Sequence, residues 1–98
     1  MISNHHFVIV TFKTNETNQA LALKEIGDYV ADFLSQQPGF VTSSLFASRD
    51  GSSIVHQAEW MREADFQAAG PLARVHPDFP KLMAYEPKGV GYQLTRTF

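Results

Sequence analysis

Hydrophobic and polar positions along the chain sort into six segments. Residues 5–14, HHFVIVTFKT, are dense in β-branched and aromatic side chains and predict a strand covered on both faces. The polar run NETNQ stops it and supplies Asn15 or Thr17 as a helix cap. From about residue 16 to 37 the pattern turns helical: Leu23, Ile26, Val30 and Phe33 recur at spacings of 3, 4 and 3, and Leu34 widens the stripe. Pro38 and Gly39 end that helix. Residues 40–48 predict a second strand, and Asp50-Gly51 signals a hairpin with a primed turn. On the return strand, residues 52–61, Ile54, His56, Ala58 and Trp60 fall on one face, and Val55, Gln57, Glu59 and Met61 on the other. The segment READFQAAGPLARVHPDFPKLMAY is helical again, with interruptions expected at Gly70-Pro71 and His76-Pro77. A closing strand follows, alternating Val90, Tyr92, Leu94 and Arg96.

Strand, helix, strand, strand, helix, strand is the order of a ferredoxin-like βαββαβ sandwich. This α+β arrangement has one antiparallel sheet with two helices on one face. Nothing resembling a linker or repeat divides the chain, so residues 1–98 are read as a single domain. A single helical layer leaves the second sheet face bare. Val55, Met61 and either Val8 or Ile9 make it apolar, despite Gln57, Glu59, Gln93 and Thr95 on the same side. Such a face calls for a partner, and a homodimer is expected. On the helix side, Ala58 leaves room between His56 and Trp60, and a helix broken at Gly70-Pro71 closes loosely over them. A pocket is expected there, beside Phe33 and Phe66.

Composition narrows the functional classes. The formal charge is -2 and no basic cluster is present, which argues against a nucleic-acid partner. The chain has no cysteine, so disulfides, thiolate metal sites and thiol nucleophiles are excluded. No apolar run approaches a membrane span, and MISNHH lacks the features of a secretory leader, so a cytoplasmic protein is expected. His5 and His6 point to opposite faces of a strand, and no carboxylate accompanies His56 and His76 at ligand spacing. No metal site is expected.

Residues 38–69, PGFVTSSLFASRDGSSIVHQAEWMREADFQA, resemble the antibiotic-biosynthesis monooxygenase family. The resemblance is carried by Pro38-Gly39-Phe40, Asp50-Gly51, Trp60 and Phe66. It implies a dimeric α+β barrel. It also implies one of several activities: cofactor-independent oxygenation of polycyclic phenols, quinol oxygenation, or haem degradation. Some similar proteins have no assigned chemistry. The aromatic oxygenases commonly place an asparagine four positions before the tryptophan, where this chain has His56. In haem-degrading members a strand-one asparagine and a helix histidine bracket the haem. His76 resembles the latter, but the first strand has no matching asparagine.

The leading expectation is therefore a small monooxygenase that uses no cofactor and acts with dioxygen on an electron-rich anthrone, phenol or quinol. The alternatives are a non-catalytic or stress-related dimer that holds a hydrophobic ligand, and a haem-binding or haem-degrading protein. If the substrate supplies the electrons, the protein must take a proton, hold the ring and stabilise a developing anion. His56 is the candidate base, with an ordinary pKa of about 6.5. Trp60 offers a flat surface and an indole donor, and Phe33 and Phe66 complete an apolar box. Arg74, His76, Lys81 and Tyr85 are the polar candidates at the pocket mouth.

Overall fold

The structure is a computed structural model that describes residues 4–98, so the first three residues of MISNHH lie outside the described residues. Its strands are β1 (His6–Lys13), β2 (Phe40–Ala47), β3 (Ser53–Trp60) and β4 (Lys88–Gln93). The helices are α1 (Gln19–Asp32), α2 (Glu63–Arg74) and α3 (Phe79–Met83), and a 3-10 turn at Leu34–Gln36 follows α1. The strands form one antiparallel sheet in the order β2-β3-β1-β4, which is the ferredoxin-like topology. The predicted second helix is thus two helices. No helix among the described residues is long and apolar enough to cross a membrane.

Register fixes which residues share a face. Val10 pairs with His56, and His56 with Leu45; Phe12 pairs with Ile54, and Val8 with Ala58. These residues lie on the helix side, where Val8, Phe12, Ile54, Ala58 and Trp60 are all buried. Helix α1 closes over them with Ala22, Ile26 and Tyr29. The expected stripe of Leu23, Val30, Phe33 and Leu34 packs at the edge of this core and is only partly buried. Ile9, rather than Val8, belongs to the outer face with Val55. Gln93 pairs with His6 and so sits on the helix side, away from Gln57 and Glu59.

Three local departures from the sequence pattern have physical causes. Helix α1 starts at Gln19 after Asn18, a turn later than expected. The Asn15 carboxamide oxygen instead accepts from the backbone N–H groups of Thr17 and Asn18, both at 2.9 Å, so the candidate cap residues form their own turn. The β2–β3 hairpin is longer than a primed turn. The Ser48 N–H donates to the Ser53 carbonyl at 3.0 Å, and the loop between them needs a positive φ only at Gly51, where φ is 81°. Helix α2 continues through Gly70-Pro71. Pro71 removes one backbone donor to the Gln67 carbonyl, but both residues are exposed, so water can serve that carbonyl. The break falls at His76-Pro77, and the last strand stops at Gln93, before Leu94 and Arg96.

Candidate active site

Strand β3 sits between β1 and β2, and its helix-side residues are the most deeply placed in the sheet. His56 lies at the middle of this strand, 5% exposed. Its Nε2 has no hydrogen-bond partner among the described residues. A buried imidazole without a compensating acceptor resists protonation. Burial holds the His56 pKa at about 4, well below the ordinary histidine range. At neutral pH the ring is therefore uncharged, and it is not poised at neutrality as its ordinary pKa suggests.

Beside His56 is a cavity of about 270 Å³. Val10 and Phe12 of β1 flank His56 on the sheet side, and Ile26 and Tyr29 of α1 contribute one wall. Phe66, Gly70, Ala73 and Arg74 come from α2, and Phe79, Leu82 and Met83 from α3. The sequence expectation of a hollow beside the third strand is met, although an unbroken α2 covers it. The chain leaves α2 before His76-Pro77 and resumes as α3, and the cavity is partly open to solvent. Among the described residues lining it, His56 and Arg74 are the only ionisable side chains apart from the Tyr29 phenol. Burial raises the pKa of that phenol, so it stays protonated and can only donate or accept as a neutral hydroxyl.

The eight candidate residues do not all meet at this cavity. His56, Phe66 and Arg74 line it; Trp60, Phe33, His76, Lys81 and Tyr85 do not. Trp60 is fully buried behind Phe66, with ring centroids 5.8 Å apart, and its other aromatic neighbour is Phe40 at 5.4 Å. Its indole N–H lacks an acceptor among the described residues. The Phe33 and His76 rings pack at a tilt with centroids 4.7 Å apart, and both contact the Tyr29 ring. The His76 Nδ1 accepts from the Asp78 backbone N–H at 3.0 Å, which fixes the link between α2 and α3. The Tyr85 hydroxyl donates to Glu25 at 2.5 Å, and that bond holds its pKa up at about 12. Lys81 pairs with Asp78. Among the described residues, no group of three or more histidines and carboxylates is arranged to hold a metal ion.

A curated relative, the tetracenomycin F1 monooxygenase of Streptomyces glaucescens, is 33% identical to this chain over 81 residues. The match covers 76% of this chain and 71% of the relative. The chain belongs to the antibiotic-biosynthesis monooxygenase family. Its named relatives support a small monooxygenase. No family model matches the sequence. Solved structures agree with the fold. The monooxygenase from ActVA-Orf6 of Streptomyces coelicolor, in complex with nanaomycin D, superposes with a TM-score of 0.74 at 23% identity. That superposition covers 95% of this chain and 89% of that one. A variant of SnoaB, a cofactor-independent oxygenase from Streptomyces nogalater, gives a TM-score of 0.75 at 23% identity and covers 97% of both chains.

Family pattern and face alternation together do not reveal the whole cavity. Tyr29 and the α3 residues Phe79, Leu82 and Met83 were missed. Tyr29 follows Ala22 and Ile26 at helical spacing, a signal present in the sequence but overshadowed by the more apolar neighbouring stripe. Helix α3 is five residues long, too short to show a period.

Proposed function

We propose that this monooxygenase oxygenates an electron-rich fused-ring phenol or anthrone without a cofactor, using the cavity beside His56. The observation that carries the reading is a desolvated, neutral imidazole with an unpaired ring nitrogen beside an otherwise apolar cavity. An apolar site excludes water from a reactive intermediate, and its few polar groups orient the substrate.

Magnitudes decide how His56 acts. A phenol with a pKa near that of tyrosine, about 10, is about six units less acidic than this imidazolium, a gap of roughly 8 kcal/mol. Attraction between the resulting phenolate and imidazolium at contact distance returns about 4 kcal/mol at an effective dielectric constant near 20. Full proton transfer before oxidation therefore stays uphill. His56 serves instead as the hydrogen-bond acceptor that takes the proton as the electron leaves for dioxygen. For an anthrone, the substrate radical and superoxide then combine to a peroxide anion, which takes the proton back from His56 and loses water to leave a quinone carbonyl. One oxygen atom enters the product and the other leaves as water, so the four electrons lost by the carbon balance the reduction of one O2. Phe66 packs against the ring, and Trp60, behind it, holds Phe66 in place.

The active unit in this reading is a homodimer. The outer sheet face presents Phe7, Ile9 and Val55 half-buried at its centre, with Phe46, Val90 and Tyr92 exposed around them. That apolar surface fits burial against a second copy across a two-fold axis.

The test is oxygen uptake by chelator-treated protein across a panel of anthrones and hydroquinones, each compared with buffer. Uptake above buffer with quinone formation is the expected result. Binding of the same compounds with no uptake would leave a ligand-holding protein in place of an enzyme acting on them.

A further inference from the structure

On the oxygenase reading, which this subsection rests on, each turnover forms a hydroperoxide inside the cavity. Met83 is the only sulfur among the lining residues, and the chain has no cysteine. It lies on the five-residue α3 next to Leu82. Leu82 is buried, whereas Met83 is 46% exposed while still lining the cavity, so it belongs to the rim. Trp60, another oxidation-prone side chain, is fully buried behind Phe66.

The described residues hold one other methionine, Met61, directly after β3. At 50% it is as exposed as Met83, but it does not line the cavity. An oxidant arriving from solution therefore meets the two about equally. An oxidant formed in the cavity meets Met83 first.

A thioether is a soft nucleophile with no proton to lose, and peroxides convert it to a sulfoxide. Its sulfur attacks the outer oxygen of the substrate hydroperoxide. The O–O bond breaks as the S–O bond forms, and the proton of the outer oxygen passes to the inner one. Sulfur loses two electrons, and the hydroperoxide gains them and leaves as a hydroxyanthrone in place of the quinone. A thioether held at the rim meets this hydroperoxide at a high effective concentration. We propose that Met83 is a modification site for the protein's own reaction: a fraction of turnovers ends with oxygen transfer to its thioether, and the sulfoxide limits the working lifetime. The sulfoxide is polar where the wall is apolar, so it weakens the hold on an aromatic substrate.

The experiment takes wild type through successive turnovers of an anthrone under isotopically labelled dioxygen, with catalase and superoxide dismutase removing free peroxide and superoxide. Peptide mass spectrometry then reads Met83 and Met61, and hydrogen peroxide added to resting protein supplies the reference ratio. Labelled sulfoxide is expected at Met83 about tenfold or more above Met61, relative to that reference, in step with hydroxyanthrone. The rate should fall as sulfoxide accumulates and return on treatment with methionine sulfoxide reductases. In Met83→Leu, a volume-conserving change, it should hold steady relative to that variant's own first turnovers. Quinone formation with Met83 oxidised no more than Met61, or a rate that falls in Met83→Leu as it does in wild type, overturns the proposal and leaves the oxygenase standing. Absence of turnover across the anthrone panel overturns both.

Discussion

Replacing His56 by leucine separates the cost of burying an imidazole from its use. The folded pKa is about 4, against about 6.5 in an unfolded chain. Between those values the unfolded chain takes up a proton that the folded chain refuses. Unfolding is therefore favoured as pH falls through this window. Wild type should be fully stable above about pH 6.5, lose stability down to about pH 4, and lose no more from this group below that. The shift of about 2.5 units corresponds to a loss on the order of 3 kcal/mol. His56→Leu has no such group. It also removes a buried nitrogen that lacks a partner, so at neutral pH the variant should be at least as stable as wild type. Urea unfolding of both proteins across this range measures the effect, because subtracting the two curves cancels the other titrating groups. The difference should widen by on the order of 3 kcal/mol on acidification. Parallel curves would refute the claim that the imidazole is buried and neutral.

Three further outcomes are expected. Ile9→Arg, at the centre of the outer sheet face, should turn a dimer into a monomer in size-exclusion chromatography with light scattering; a wild-type monomer would contradict the dimer reading. Gly39→Ala should cost about 1–3 kcal/mol in a melting experiment, since φ there is 85° and a Cβ would collide with the Asp65 side chain; an unchanged midpoint would mean that turn is free to move. Tyr85→Phe should cost about 1 kcal/mol by removing the hydroxyl that donates to Glu25, and an unaltered stability would show that the pair contributes nothing.

Much of this architecture is legible in the sequence because period and punctuation agree. The alternation through Ile54, His56, Ala58 and Trp60 forecasts a buried face, and all four side chains are buried. The outer-face Ile9 and Val55 follow from the same rule once register is known. Helix continuity was the weaker signal. Gly70-Pro71 reads as a break, yet a solvent-facing proline near the end of α2 costs little, and tertiary packing carries the helix across it.

The site was harder to read than the fold because alternation assigns a face without giving depth. His56 and Trp60 share a side, but only His56 meets the cavity, and Phe66 stands between the indole and that space. Nothing in sequence spacing distinguishes these two depths. The low pKa of His56 likewise comes from burial under elements distant in sequence, β1 with its paired Val10 among them.

The role of His56 is decided by single-turnover reaction of chelator-treated wild type and His56→Leu with an anthrone under isotopically labelled dioxygen. Wild type should place one labelled oxygen in each quinone, at a rate about a hundredfold or more above His56→Leu. Label incorporation at the same rate in both proteins, or no rate above buffer in wild type, would contradict this role.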